Sequence, residues 1–305
     1  MTQELLRWAE SRGYRVAWGP VSVLDAVRTD LERRRKTGEI NEAFARENLT
    51  FDFEQERSAA GGWRVLVIVM PRPAHLVAFV VSGRRVDTVL PPTYQRYRPT
   101  FEDVRRDLAG DVLAGARVET INVPLKPLAS SLGLVRYGRN NVTYAPSVGS
   151  YLQLFGYLTD ADLPIEPGWK PRAPSLLDEC AECGVCEALC PTGAIGPDRI
   201  LLRAERCLTL ANETAGAWPS WVSASVHNCL IGCLQCQRLC PANPELPTTD
   251  SDVVFSEEET SVLLDGGERV GPAWERVRVK LELLGQPYQE EVLGRNLHAL
   301  LQVPA

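Results

Sequence analysis

The 305-residue sequence has no long hydrophobic stretch. Its longest unbroken apolar run, Val65 to Met70, is far too short to span a bilayer, which takes about 20 residues. The opening segment, MTQELLRWAESRGYR, is charged and amphipathic and lacks the apolar core of an export signal. These absences predict a cytoplasmic protein with no membrane partner.

Histidine is also scarce, with three residues, whereas cysteine is abundant, with nine. Because the chain shows no export signal and its cysteines are tightly spaced, we interpret them as metal ligands in a reducing compartment and not as disulfides. The net charge is -6, and the acidic excess lies after residue 172. The slight basic excess before that point is a weak indication of a polyanionic partner.

The hydrophobic pattern predicts a mixed α and β domain followed by a separate module. Helical spacing of Leu24, Val27 and Leu31 follows a first helix that ends at Gly13, with a short strand between them. The runs WRVLVIVM, HLVAFVV and RRVDTVL then predict adjacent strands of one buried sheet. A helix starting at Thr100, a strand ARVETINV and a helix over 125–132 follow.

A proline-rich stretch, LPIEPGWKPRAP, predicts a linker before the cysteines. We therefore expect an α+β domain over residues 1–172, a cysteine module over 173–247 and a helical segment over 248–305. The closing helices are predicted at SEEETSVLLDGG and RNLHALLQV.

The first cysteine run is that of bacterial ferredoxins, Cys180-x2-Cys183-x2-Cys186-x3-Cys190-Pro191. In this pattern three cysteines hold one 4Fe-4S cluster, and the fourth binds a second cluster. Zinc is disfavoured because zinc ribbons use separated cysteine pairs without a trailing proline. The sequence predicts two clusters.

The second run, Cys229-x3-Cys233-x2-Cys236-x3-Cys240-Pro241, gives nine thiols for eight positions once Cys207 is added. Crosswise ligation predicts one cluster on Cys180, Cys183, Cys186 and Cys240, and a second on Cys190, Cys233 and Cys236. The fourth ligand of the second cluster is Cys207 or Cys229, and spacing alone favours Cys229. The second run also has the spacing of radical SAM enzymes, but too few residues follow it for their barrel.

The segment LASSLGLVRYGRNNVTYAPSVGSYLQLFGYLTDADLP resembles the epoxyqueuosine reductase pattern LAxxAGLGWxGKN, PxxGS and LGxxxTDLPL. The shared positions are Leu128, Ala129, Gly133, Leu134, Gly138, Asn140, Pro146, Gly149, Ser150, Gly156, Thr159 and Asp160, with Arg139 in place of lysine. CAECGVCEALCPTGAI, ERCLTLANE and GCLQCQRLCP then resemble the family's cysteine segments in order and spacing. The resemblance covers residues 115–245 and favours Cys207 as the eighth ligand.

The resemblance implies a cobalamin enzyme related to reductive dehalogenases. Its fold would be a nitroreductase-like domain followed by a two-cluster ferredoxin-like module. The clusters would pass electrons to cobalt, and the resulting Co(I) nucleophile would open an epoxide or attack a carbon–halogen bond. None of His75, His227 and His298 lies in an Asp-x-His-x-x-Gly motif, so the implied cobalamin is base-off.

The resemblance also implies particular site residues. The family's general acid maps to Glu119, fourteen residues before Gly133. We expect the corrinoid-binding residues in the shared segment, at Gly133, Tyr137, Gly138, Arg139, Asn140, Asn141, Pro146, Gly149 and Ser150. A family tryptophan is Arg136 here. Such departures fall where substrate should bind, which allows a substrate other than epoxyqueuosine.

The leading hypothesis is therefore a cobalamin-dependent iron–sulfur oxidoreductase that acts on epoxyqueuosine in tRNA or on an unidentified compound. It would need an external low-potential electron donor of the ferredoxin or flavodoxin type. Two alternatives remain: a corrinoid-free ferredoxin-type electron carrier, and a cobalamin carrier or reductive activator without a substrate of its own.

Overall fold

The computed structural model describes residues 1–53, 62–197, 199–265, 269–287 and 289–302. Its helices are α1 Thr2–Ser11, α2 Val23–Lys36, α3 Glu42–Asn48, α4 Tyr97–Asp107, α5 Leu125–Ser131, α6 Val185–Ala188, α7 Leu208–Glu213, α8 Gln235–Arg238, α9 Glu257–Asp265, α10 Pro272–Leu284 and α11 Glu290–Gln302. Its strands are β1 Arg15–Pro20, β2 Arg64–Pro71, β3 Ala74–Val81, β4 Arg84–Leu90, β5 Val118–Thr120, β6 Arg136–Tyr137, β7 Thr143–Tyr144, β8 Leu152–Thr159 and β9 Thr248–Phe255. The predicted α+β class is confirmed.

The chain forms two compact units, each built from discontinuous stretches. The first unit comprises Met1–Pro71, Thr100–Gly184 and Pro197–Ala204, and the second comprises Arg72–Pro99, Val185–Gly196 and Glu205–Ala305. Within the described ranges, no helix is both long and apolar enough to cross a membrane.

The first unit is built on an antiparallel sheet with strand order β1-β2-β8-β5. Strand β2 is buried on both faces along Val65 to Met70, which explains why this stretch is apolar without interruption. Val65, Val67 and Val69 pack with Leu24 of α2 and Leu128 of α5 in one hydrophobic core. Burial of these side chains holds α2 and α5 against the sheet.

The second unit is built on a sheet of order β4-β3-β9, in which β3 and β9 run parallel. Phe79 of β3 stacks on Phe255 of β9 with ring centroids 4.7 Å apart. Val277 and Leu281 of α10 and Leu297 of α11 complete the core. This core carries the segment that contains the second cysteine run.

The prediction that β2, β3 and β4 are adjacent strands of one sheet is wrong. Strands β3 and β4 form a hairpin, but β2 belongs to the other sheet, where β1 and β8 are its neighbours. Pro71 ends β2 and Pro73 lies between β2 and β3, and prolines cannot donate the backbone hydrogen bonds of a tight hairpin ladder. The two runs therefore enter different sheets.

Other differences concern element ends and elements that were not predicted, among them α3, β9 and α10. Helix α4 begins at Tyr97, earlier than the predicted Thr100, and only Val118–Thr120 of the predicted strand pairs. Strand β9 was not predicted because TTDSDVVF is polar at its start and its order comes from pairing with β3, far away in sequence. Helix α10 had a readable signal, Pro272 at its start and Gly285 at its end. Residues 266 and 267, predicted to end helix α9, lie outside the described residues.

Helix α9 starts with a capping box that also carries a buried charge. Ser256 Oγ accepts from the Glu259 amide at 3.3 Å, and the Ser256 amide donates to Glu259 Oε2 at 2.7 Å. The Glu259 side chain is 2% exposed and also accepts from Lys280 Nζ, and from Arg276 Nε at 3.0 Å. This carboxylate therefore ties α9 to α10.

Replacing Glu259 with glutamine should lower the free energy of unfolding by about 2 kcal/mol, because charge-assisted hydrogen bonds to a buried group are lost. Glu258→Gln is the matched control, since Glu258 is exposed and pairs with Arg276 at the surface, where such pairs contribute little. Denaturant unfolding of both variants, followed by circular dichroism, measures the difference. Equal stabilities of the two variants would contradict the assignment.

The same carboxylate should make stability depend on pH. Although burial acts to raise it, hydrogen bonds from Lys280 and the Ser256 amide lower the pKa of Glu259. A lowered folded-state pKa means that the contribution is complete above the unfolded value of about 4.3 and is lost as pH falls through the folded-state value. The acid limb of the stability curve should therefore be flatter in Glu259→Gln than in the unchanged protein.

Candidate functional site

Four thiols of the second unit, those of Cys190, Cys207, Cys233 and Cys236, lie close to one another. Burial raises the pKa of the Cys236 thiol well above its usual value, and the thiols of the other three and of Cys186 raise it further. Burial, with the thiols of Cys233 and Cys190, likewise raises the pKa of Cys207. A group of thiols buried this way is stable as thiolates only with positive charge among them, which iron supplies.

Short helices and turns position these sulfurs. Helix α6, which contains Cys186, packs on helix α8, which contains Cys236. Cys207 immediately precedes α7. Cys190 Sγ lies 3.7 Å from Thr192 Oγ1. Although burial acts to raise it, hydrogen bonds from Thr192 and the following amides lower the pKa of Cys190.

Cys229 has a different environment from Cys207. It is fully buried, its thiol donates to Asn228 Oδ1 at 3.1 Å, and burial raises its pKa to about 12. Cys233 is the one thiol that adds to this shift. Cys207 thus lies near the thiols of Cys190, Cys233 and Cys236, whereas Cys229 lies near that of Cys233. Cysteine spacing alone could not predict the position of Cys207, because the fold and not a local motif places it near the other three thiols.

Among the residues that the structure describes, no three His, Cys, Asp or Glu side chains are close enough to coordinate a single metal ion. A 4Fe-4S cluster needs a wider arrangement, since each of its four thiolates binds a different iron.

In the first unit, the start of the first cysteine run is bonded to the segment after α5. Arg139 donates to the Cys180 carbonyl at 2.7 Å and to the Pro197 carbonyl at 3.0 Å. Arg136 forms a bidentate pair with Asp178, with distances of 2.8 and 2.6 Å. The Tyr137 amide donates to the Ser175 carbonyl, and the Tyr137 carbonyl accepts from the Leu177 amide. Cys180 is thereby fixed relative to β6, while Cys183 follows it in the same unit.

Two polar atoms of this segment have no hydrogen-bond partner although they are buried: Arg139 Nε and Asn141 Nδ2. Asn141 adopts a left-handed backbone, with φ of 60°, and its carbonyl accepts from Lys126 Nζ at 3.1 Å. Buried donors without partners are costly, and a bound polar group would satisfy them. A corrinoid carries amide side chains that can accept such bonds, so these residues fit it.

The remaining residues expected at the corrinoid shape the same segment. Asn140 is buried and donates to Tyr144 Oη at 2.8 Å, and a side chain at Gly138 would meet Asn140 Oδ1 at 2.5 Å. A side chain at Gly133 would meet the Arg172 guanidinium at 2.7 Å. Pro146 is exposed, whereas Gly149 and Ser150 are buried in the loop before β8. Glu119 lies on β5, at the edge of the sheet, and is exposed.

Comparison with protein families identifies the cysteine module. Residues 179–243 match the model described as a 4Fe-4S double cluster binding domain. The chain therefore contains a domain for two 4Fe-4S clusters, as the ferredoxin spacing predicted.

Comparison with curated proteins finds epoxyqueuosine reductases. The one from Staphylococcus aureus is 30% identical over 149 residues, which are 48% of this chain and 37% of that protein. The one from Pseudomonas aeruginosa is 34% identical over 130 residues, which are 42% of this chain and 34% of that protein. The matches thus span about a third of the length of these relatives.

Solved epoxyqueuosine reductases have the same fold. A structure with an epoxyqueuosine-modified tRNA-Tyr stem loop gives a TM-score of 0.70 at 19% identity, covering 98% of this chain and 80% of that one. The Bacillus subtilis enzyme gives 0.65 at 18% identity, with the same coverage. The resemblance predicted from the sequence is confirmed in sequence and in fold.

Proposed function

We propose that this chain, epoxyqueuosine reductase-like in sequence and fold, is an iron–sulfur oxidoreductase that binds base-off cobalamin and reduces an epoxide such as epoxyqueuosine in tRNA. The observation that carries the proposal is the joining of Cys180 to the corrinoid segment through Arg139. A hydrogen-bonded link of this kind holds the first cluster ligand and the expected corrinoid residues in one rigid body.

The ligand sets in this proposal are those of the crosswise pattern. Cys190, Cys207, Cys233 and Cys236 hold one cluster, and Cys180, Cys183, Cys186 and Cys240 hold the other. Support for Cys207 comes from its half-buried position near the other thiols of the first set. Two clusters can deliver two electrons, the number that reductive opening of an epoxide requires.

The protein's own residues hold and orient the reactants. The corrinoid, when bound, supplies the reducing centre for the substrate. Arg139 Nε and Asn141 Nδ2 would donate to its polar groups, and Asn140 and Gly138 keep that loop in shape. The opened epoxide oxygen needs a proton, and Glu119 is the group that provides it. An exposed carboxyl can be reached by a large substrate such as tRNA.

Replacing Asn141 with glycine should weaken corrinoid retention about tenfold, because one hydrogen bond to the cofactor is lost. Glycine keeps the left-handed backbone, so the loop should stay intact. Asp252→Gly is the matched control, because Asp252 has a φ of 58° and lies in β9. Corrinoid absorbance after desalting measures retention. Equal retention by the two variants would contradict the role of Asn141.

The proposed activity is tested with anaerobically reconstituted protein, a low-potential reductant and a tRNA stem loop containing epoxyqueuosine. We expect the modified nucleoside to be reduced when cobalamin is present and to be unchanged when it is omitted. Mass spectrometry of the digested RNA identifies the product. Retained cobalamin without conversion would contradict this substrate, and reduction without cobalamin would contradict the cofactor.

A further inference from the structure

The side-chain amide of Asn228 uses every hydrogen-bonding position it has. Its Nδ2 donates to the Val226 carbonyl at 3.2 Å and to Cys233 Sγ at 3.3 Å. Its Oδ1 accepts from the Leu234 amide at 2.9 Å and from the Cys229 thiol at 3.1 Å. An amide with two donors and two acceptor sites occupied is held in place from four sides.

These partners also decide which way the amide faces. The Leu234 N–H can only donate, so the atom opposite it must be an oxygen. The Val226 carbonyl can only accept, so the atom opposite it must be the NH2 group. If the amide were rotated by half a turn, its NH2 group would face the N–H and S–H donors, and its oxygen would face the Val226 carbonyl and the Cys233 sulfur. The N–H group therefore points at the Cys233 sulfur.

The buried Cys229 thiol reinforces this orientation. The side chain is fully buried and directs its S–H to Asn228 Oδ1. It thus has a hydrogen-bond partner of its own in Asn228. This accounts for the ninth cysteine, which the eight cluster positions leave over.

An N–H bond to a ligand sulfur changes the energy of the cluster that the sulfur binds. Reduction adds one electron to the cluster, which makes its sulfurs more negative and strengthens the N–H···S bond. Hydrogen bonds to the sulfurs are among the factors that set cluster potentials. An N–H group aimed at Cys233 therefore favours the reduced state.

We propose that Asn228 is a positioning residue that raises the reduction potential of the cluster on Cys190, Cys207, Cys233 and Cys236, and that Cys229 holds its amide in place. The inference rests on the proposed function in one respect, that Cys233 is a ligand of that cluster. Cluster 2, as we call this cluster, is then a better electron acceptor than its thiolates alone would make it.

The test is an EPR-monitored redox titration of the reconstituted full chain. Asn228→Asp places an acidic oxygen where the N–H was, and Asn228→Ala removes the donor without adding charge. We expect the midpoint potential of cluster 2 to become more negative in both variants, and more so in Asn228→Asp. The potential of the other cluster should stay unchanged and serves as the internal control. The Cys207→Ala variant, which keeps that other cluster alone, identifies which wave belongs to it.

Cys229 is tested by a matched pair. Cys229→Ser keeps a hydroxyl donor for Asn228 Oδ1, whereas Cys229→Ala removes it. We expect a shift in the same direction as Asn228→Ala for Cys229→Ala, and a smaller one for Cys229→Ser. Identical potentials in these two variants would remove Cys229 from the proposal.

Several results would overturn the role of Asn228. Unchanged potentials in both Asn228 variants, or equal shifts of both clusters, would show that the hydrogen bond does not tune cluster 2. Loss of half the iron in both variants would assign Asn228 to cluster retention instead. If the protein without substitutions holds no clusters, the proposed function itself is contradicted. That result differs from every result that would overturn only the role of Asn228.

Discussion

Cys207→Ala should lose one of the two clusters, so that the iron content of the reconstituted protein falls from about eight to about four. Cys207 is half-buried and lies near the thiols of Cys233 and Cys190, so its removal leaves three ligands for the cluster there. The cluster on the other four cysteines should remain. Iron and sulfide analysis of the desalted protein measures the loss.

Cys229→Ala is the control for this experiment, and it should keep about eight irons. Its thiol donates to Asn228 Oδ1 and is replaceable as a ligand because Cys207 fills that position in the proposal. The opposite pattern, with eight irons in Cys207→Ala and four in Cys229→Ala, would make Cys229 the eighth ligand. That outcome would favour ferredoxin spacing over the three-dimensional grouping.

Glu119→Gln should lower the turnover of epoxide substrate at least about 100-fold, because glutamine cannot donate the proton that a general acid provides. Clusters and corrinoid should be retained, since Glu119 is exposed on the edge strand β5 and is not part of a core. Single-turnover rates with the loaded protein measure the effect.

Glu10→Gln is the matched control for Glu119→Gln, because Glu10 is an exposed carboxylate on α1 of the same unit. It should leave turnover unchanged. Equal rates in the two variants would make Glu119 an ordinary surface carboxylate. The proton would then come from solvent or from another group.

The cluster module could be predicted from the sequence because the local spacing of its cysteines is specific to 4Fe-4S clusters. The run from Cys180 to Cys190 with its trailing proline has few other uses, and the family match covers residues 179–243. Strand β2 was equally readable, since a fully buried strand must be apolar along its whole length. Both predictions depend on residues that are neighbours in the chain.

Features that depend on contacts between residues far apart in the chain could not be predicted from the sequence. The sheet that β2 joins is decided by β8, some 80 residues later, and β9 becomes a strand because β3 lies beside it. The partner of Arg136 is Asp178, although the sequence showed Arg136 as a departure from the family pattern. Likewise, nothing in the order of residues indicated that Asn228 would face the Cys233 sulfur.

The most direct test of the central claim is the metal content of protein reconstituted anaerobically with iron, sulfide and hydroxocobalamin and then desalted. We expect about eight irons and about one cobalt per chain, with a cobalt EPR signal that lacks nitrogen superhyperfine splitting. About eight irons with no retained cobalt would contradict it. The chain would then be a ferredoxin-type electron carrier, and Arg139 and Asn141 would need another ligand.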